Sequence, residues 1–112
     1  MAGKYELTAA ANGEFMFNLK AGNAQTILTS ERYKAKASAL QGIESVRKNG
    51  VIDERFDRRT AKDGSPYFAL KASNGQDIGR SQMYASKATM ENGIASVKAN
   101  AADAALEDLT AG

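Results

Sequence analysis

Two short sets of polar residues stand out for the chemistry they could do. They are Ser30, Tyr33 and Lys36, and, about 51 positions later, Ser81, Tyr84 and Lys87. Each set leads into a segment with helical periodicity. A lysine in the first helical turn opposes the helix dipole, so it is a poor choice for stability alone. Beside the free N–H groups of a helix start it would suit a phosphate or carboxylate. A tyrosine and a lysine can also serve acid–base chemistry, but no adjacent base or cofactor motif accompanies either pair. The plain structural alternative is that serine caps a turn, tyrosine packs over the sheet edge, and lysine is solvated or paired with an acid such as Glu31.

Lys20 and Lys71 are a second repeated basic feature. They fall on a strand face with Glu6, Thr8, Met16, Asn18, Asp57, Arg59, Tyr67 and Ala69. Basic and aromatic residues on one face could bind single-stranded nucleic acid or a peptide. A solvated antiparallel face has the same look. Arg55, Arg58, Arg59 and Lys62 are densely basic, but Asp53, Glu54, Asp57 and Asp63 interleave with them and leave the stretch near neutral.

Absences narrow the chemistry further. The 112 residues include no histidine and no cysteine, so serine–histidine and cysteine nucleophile systems and Cys-ligated metals are excluded. Asp103, Glu107 and Asp108 are too scattered, and too poor in glycine, for a calcium loop. No P-loop, dinucleotide fingerprint or zinc spacing is present, so no cofactor is expected. A net charge of +2 is well short of that usual for a dedicated nucleic-acid binder. No apolar run is long enough to span a bilayer, and no hydrophobic leader is seen, which points to the cytoplasm.

The elements that must position these residues come in two copies. Slid against itself by about 51 positions, the chain aligns without a gap. About 18 of 46 positions are identical, against about 3 by chance. Each copy opens with a strand, Lys4 to Ala10 and Arg55 to Ala61. Asn12-Gly13 and Asp63-Gly64 then favour a type I′ turn. The second strand alternates strictly, with Phe15, Phe17 and Leu19 on one face. A third strand follows, Gln25 to Ser30 and Gln76 to Ser81. The period then changes to 3.6, and helices are predicted over about Ala35 to Lys48 and Ser86 to Ala99. Ser86 suits an N-cap, and Asn49-Gly50 a C-cap. Gly42 and Gly93 sit mid-helix in both copies, which implies that each helix presses its backbone onto the sheet there.

A unit of about 50 residues is marginal alone. Two units sharing a sheet would join their cores and hide edges. The expected fold is α+β: two tandem β-β-β-α(-β) repeats, about 3–50 and 54–101, and a C-terminal strand at about 105–110. They would form one domain over 1–112, with one antiparallel sheet, both helices on one face and pseudo-twofold symmetry. The expected core is Tyr5, Leu7, Phe15, Phe17, Leu19, Ile27, Ile43 and Val46, with Phe56, Phe68, Leu70, Ile78, Met90, Ile94 and Val97.

The stretch "NGEFMFNLKAGNAQTILTSERYKAKASALQGIESVRKN" and its copy "DGSPYFALKASNGQDIGRSQMYASKATMENGIASVKAN" resemble the YegP-like family of small bacterial proteins. The resemblance covers Gly3 to Asn100 and departs at Arg32, Leu40, Pro66 and Gln82. It implies β-β-β-α-β repeats with C-terminal strands exchanged between units, which would make Val51–Thr60 and Ala105–Thr110 exchanged segments. It implies no established activity. The function expected from all this is a non-catalytic structural or binding module, acting as a monomer that could take a protein partner. The rival is a weak nucleic-acid or anion binder through Lys20, Lys71, Lys36 and Lys87.

Overall fold

A computed structural model describes residues 3–110. The elements are β1 (Lys4–Ala9), β2 (Phe15–Lys20), β3 (Thr26–Ser30), α1 (Lys36–Asn49), a single 3-10 turn (Asp53–Arg55), β4 (Phe56–Thr60), β5 (Pro66–Lys71), β6 (Asp77–Arg80), α2 (Lys87–Asn100) and β7 (Ala105–Asp108). All seven strands form one sheet in the order β4-β5-β6-β3-β2-β1-β7. The repeats meet where β3 pairs antiparallel with β6. There Thr29 faces Arg80, its own counterpart in the second repeat, so the pseudo-twofold axis passes through this pair.

The sheet is mixed and not antiparallel throughout. β1 and β7 run parallel, with Tyr5 opposite Leu106 and Leu7 opposite Asp108. Parallel neighbours need a crossover connection, and α2 supplies it. The Gly3 N–H donates to Asn100 Oδ1 (3.0 Å), and the Tyr5 hydroxyl donates to the Ala101 carbonyl (2.5 Å). The end of α2 is thereby held at the start of β1, and β7 leaves in the same direction as β1. β7 is thus an exchanged strand, made by the second repeat and used by the first. Counted as the strand that closes the first β-β-β-α-β unit, β4 is exchanged as well, since it pairs with β5 of the second; counted as the copy of β1, it also opens the second repeat.

The hairpin turns also differ from the type I′ reading. The Gly13 N–H donates to the Ala10 carbonyl, and only Gly13, at φ 84°, has positive φ. The turn is centred on Ala11-Asn12, with the glycine as a left-handed bulge residue after it. Gly64 does the same in the second copy.

Both helices lie on one face, and their C-terminal ends touch. A Cβ on Gly50 would come 2.6 Å from the Ala101 Cβ. Gly50 caps α1 in right-handed conformation, so its small size, and not a left-handed bend, is what the site requires. Ser86 caps α2 by accepting from the Thr89 N–H (3.2 Å). The expected core residues are buried together in one cluster, except Phe15, which is partly buried against it. Leu28 joins them because a register shift at Leu19/Lys20 breaks the alternation of β3 and turns Ile27 and Leu28 both inward. Its counterpart is Gly79, where a Cβ would meet Leu28 Cγ at 3.2 Å. The axis has room for one leucine and not two. No helix among the described residues is long and apolar enough to cross a membrane.

Candidate functional site

The two serines belong to the fold. Ser30 Oγ accepts the Phe17 N–H (2.9 Å) and donates to the Glu31 carbonyl (2.7 Å). Ser81 repeats this with Phe68 (3.0 Å) and Gln82 (2.8 Å). Each hydroxyl satisfies a strand N–H and is itself buried.

The tyrosines are placed by the strands and seated by the glycines. Tyr33 exchanges two 2.7 Å backbone bonds with Phe15, which fixes its position at the end of β2. Tyr84 keeps only one such bond, to the carbonyl of Pro66, because proline has no N–H to return. The Tyr33 ring stacks on Phe17 (6.3 Å, 10°), and Tyr84 on Phe68 (6.2 Å, 14°). Each ring tip lies over a mid-helix glycine. A Cβ on Gly42 would come 2.9 Å from Tyr33 Cζ, and one on Gly93 2.7 Å from Tyr84 Cζ. The close approach expected at these glycines is therefore to a tyrosine wedged between helix and sheet. Burial pushes both phenols above the ordinary tyrosine range, with Glu31 adding to the effect at Tyr33. Both remain hydrogen-bond donors near neutrality, and neither hydroxyl has a hydrogen-bond partner among the described residues.

These hydroxyls border two clefts that each combine the helix of one repeat with the β2–β3-type turn of the other. The Tyr33 cleft, about 290 Å³, is lined by Ser38, Gln41 and Ser45 of α1 and by Asn74, Gln76 and Asp77 of the second repeat. The Tyr84 cleft, about 360 Å³, is lined by Thr89, Asn92 and Ser96 of α2 and by Asn23, Gln25 and Thr26 of the first. Asn23 Oδ1 accepts the Gln25 N–H (3.1 Å) and Asn74 Oδ1 accepts the Gln76 N–H (3.0 Å), which shapes each turn into a rim. The clefts differ in charge. Glu31 and Asp77 line the first, whereas Gln82 and Thr26 take the corresponding positions in the second, and no residue lining it is charged.

The lysines are elsewhere. Lys36 pairs with Asp108 of β7 (2.5 Å), and holds that carboxyl down at about 2. Lys20 pairs with Glu6 (3.0 Å), and Lys71 lies 3.9 Å from Asp57, both among charged residues of the open sheet face. Lys87 lines a small groove between β4 and α2 and forms no ion pair among the described residues. Neither tyrosine cleft is lined by Lys36 or Lys87.

Comparison with known proteins agrees with this doubled geometry. A family model described as a domain of unknown function, DUF1508, matches twice in tandem, over residues 10–57 and 61–108. The chain belongs to the DUF1508 family. A UPF0339 protein of Bordetella pertussis is 57% identical over 110 residues, covering 98% of each chain. The solution structure of YegP, a protein of unknown function from Escherichia coli, superposes with a TM-score of 0.94 at 52% identity, covering all of this chain and 97% of that one. A UPF0339 protein of Shewanella oneidensis gives 0.92 at 51%, covering 98% and 93%. The recognised family is thus the YegP-like one, and these relatives carry no assigned activity.

Within this DUF1508 chain the structure brings together residues that sequence reading left apart. Gln25, Asn23, Ser45 and their copies are repeated polar residues, a signal visible in the self-alignment. What the alignment could not show is that the partners cross over, helix of one copy to turn of the other.

Proposed function

We propose that the chain is a non-catalytic binding module that takes uncharged, hydrogen-bonding ligands, such as peptide amides or sugar hydroxyls, in its two inter-repeat clefts. The observation that carries this reading is the Tyr84 cleft: a phenol with no hydrogen-bond partner among the described residues, in a hollow they line with amide and hydroxyl side chains and no charge. Such sites select by placed donors and acceptors, and salt has little effect on them. Acid–base catalysis by a Tyr–Lys pair is disfavoured, since each phenol is raised away from neutrality and no lysine lines its cleft. The anion reading is weakened by the carboxylates beside Lys20, Lys36 and Lys71. A monomer in the cytoplasm is part of the same proposal.

The test is an NMR titration of the whole chain with uncharged tripeptide amides and neutral oligosaccharides, beside inorganic phosphate and a single-stranded oligonucleotide. Cleft binding predicts salt-insensitive shifts at Gln25, Asn92 and Gly93, and a loss of affinity of about tenfold in Tyr84→Phe. Binding confined to phosphate or oligonucleotide, weakening with salt and abolished by Lys20→Glu with Lys71→Glu, would replace this reading with the rival one.

A further inference from the structure

The exchange of β7 leaves the molecule unequal at its two ends. β7 lies against the outer side of β1, where Leu109 donates its N–H to the Leu7 carbonyl (2.8 Å). Two lysines of the first repeat hold its carboxylates: Lys4 pairs with Glu107 (3.0 Å) and Lys36 with Asp108. β4 is the copy of β1, but at the other end of the sheet, and among the described residues no strand covers its outer side. One cation repeats there: Lys87 stands where Lys36 stands, whereas Arg55, the counterpart of Lys4, lies in the 3-10 turn and donates to Asn49 Oδ1 (3.0 Å). Beside that edge is a groove of about 220 Å³ lined by Arg58, Thr60, Pro66, Lys87, Met90 and Glu91. Lys87 is thus placed like Lys36, without the carboxylate that Lys36 holds.

We propose that the outer edge of β4 is a docking site for an extended acidic segment of a partner protein, which adds as a parallel strand and sets a carboxylate on Lys87. Its chemistry is that of β7, a short apolar-then-acidic run such as Ala105-Leu106-Glu107-Asp108. Backbone pairing gives the added strand its affinity, and the position of its acid gives register and selectivity. The Arg58–Glu91 pair (2.6 Å) lines the groove and is kept. The site is independent of the tyrosine clefts.

The probe is a synthetic peptide with the sequence of residues 103–110, titrated into the isotope-labelled whole chain. The expected result is saturable shifts confined to Phe56–Thr60 and the first turn of α2. Lys87→Glu should weaken binding at least tenfold with the fold unchanged by circular dichroism, as should Asp108→Lys in the peptide alone. No shift at millimolar peptide, shifts confined to β1, or equal binding by Lys87→Glu would each overturn the proposal. So would concentration-dependent self-association of the unmixed chain that Lys87→Glu abolishes, because the occupant would then be the β7 of a second copy.

Discussion

The two ends of the sheet started from one strand sequence and reached opposite solutions. At the β1 end, position 7 is a leucine, completely buried under α1 and beside β7, with Leu40 partly buried against the core. At the β4 end the same two positions are Arg58 and Glu91, joined by an ion pair and exposed. Asp53 extends that pair, bonding both Arg58 (3.2 Å) and Lys98 (2.6 Å). The difference follows from the neighbour. A covered edge can keep a buried apolar residue, whereas at the uncovered one the same positions face solvent and carry an ion pair.

The largest expected effect breaks this comparison most directly. Leu7→Ala should cost about 2–5 kcal/mol by denaturant unfolding, as for a fully buried leucine. Arg58→Ala should cost about 1 kcal/mol or less, as for an exposed pair. Equal losses would mean that the two edges are not distinguished by burial. A smaller effect concerns the strand itself. Lys36→Ala should leave global stability nearly unchanged, yet raise hydrogen exchange at Leu109, whose N–H is bonded to Leu7. Lys87→Ala should change neither, having no ion partner among the described residues to lose.

The smallest effect is local and depends on pH. Asp108 is held at about 2, below its ordinary 3.8, first by Lys36 and then by Thr110. A lowered carboxyl stabilises the folded state above its unfolded pKa, and that contribution is lost as pH falls through the folded value. Protection factors in β7 should therefore fall between about pH 4 and pH 2. Glu91 and Asp53 are lowered too, by Arg58 and Lys98 respectively, so the β4 network weakens over the acid range as well. β4 itself should stay protected through its backbone pairing with β5. Asp108→Asn should remove the acid sensitivity of β7 and leave that of β4. An unchanged profile in that variant would sever the link between the ion pair and the strand.

Much of the fold was legible from local patterns. The repeat, the strand alternation and the 3.6 period of Ile43 and Val46 or Ile94 and Val97 all report on neighbours close in sequence. Leu28 was missed because a bulge interrupts alternation without any residue that announces it. The turn type was missed because Asn12-Gly13 fits two turns, and strand register selects between them. Of the candidate site, Tyr33 and Tyr84 were visible as repeated, but Ser30 and Ser81 proved to close strand ends and Lys36 to hold β7.

By itself, the sequence determined the doubled unit, its elements and most of its core, because apolar periodicity encodes which face each element buries. Only the tertiary structure decided that the clefts lie between repeats and that β7 crosses to β1 in parallel. Those arrangements depend on where the end of α2 comes to rest, at Gly3 and Tyr5. Contacts between residues nearly a hundred positions apart leave no periodic trace in the chain.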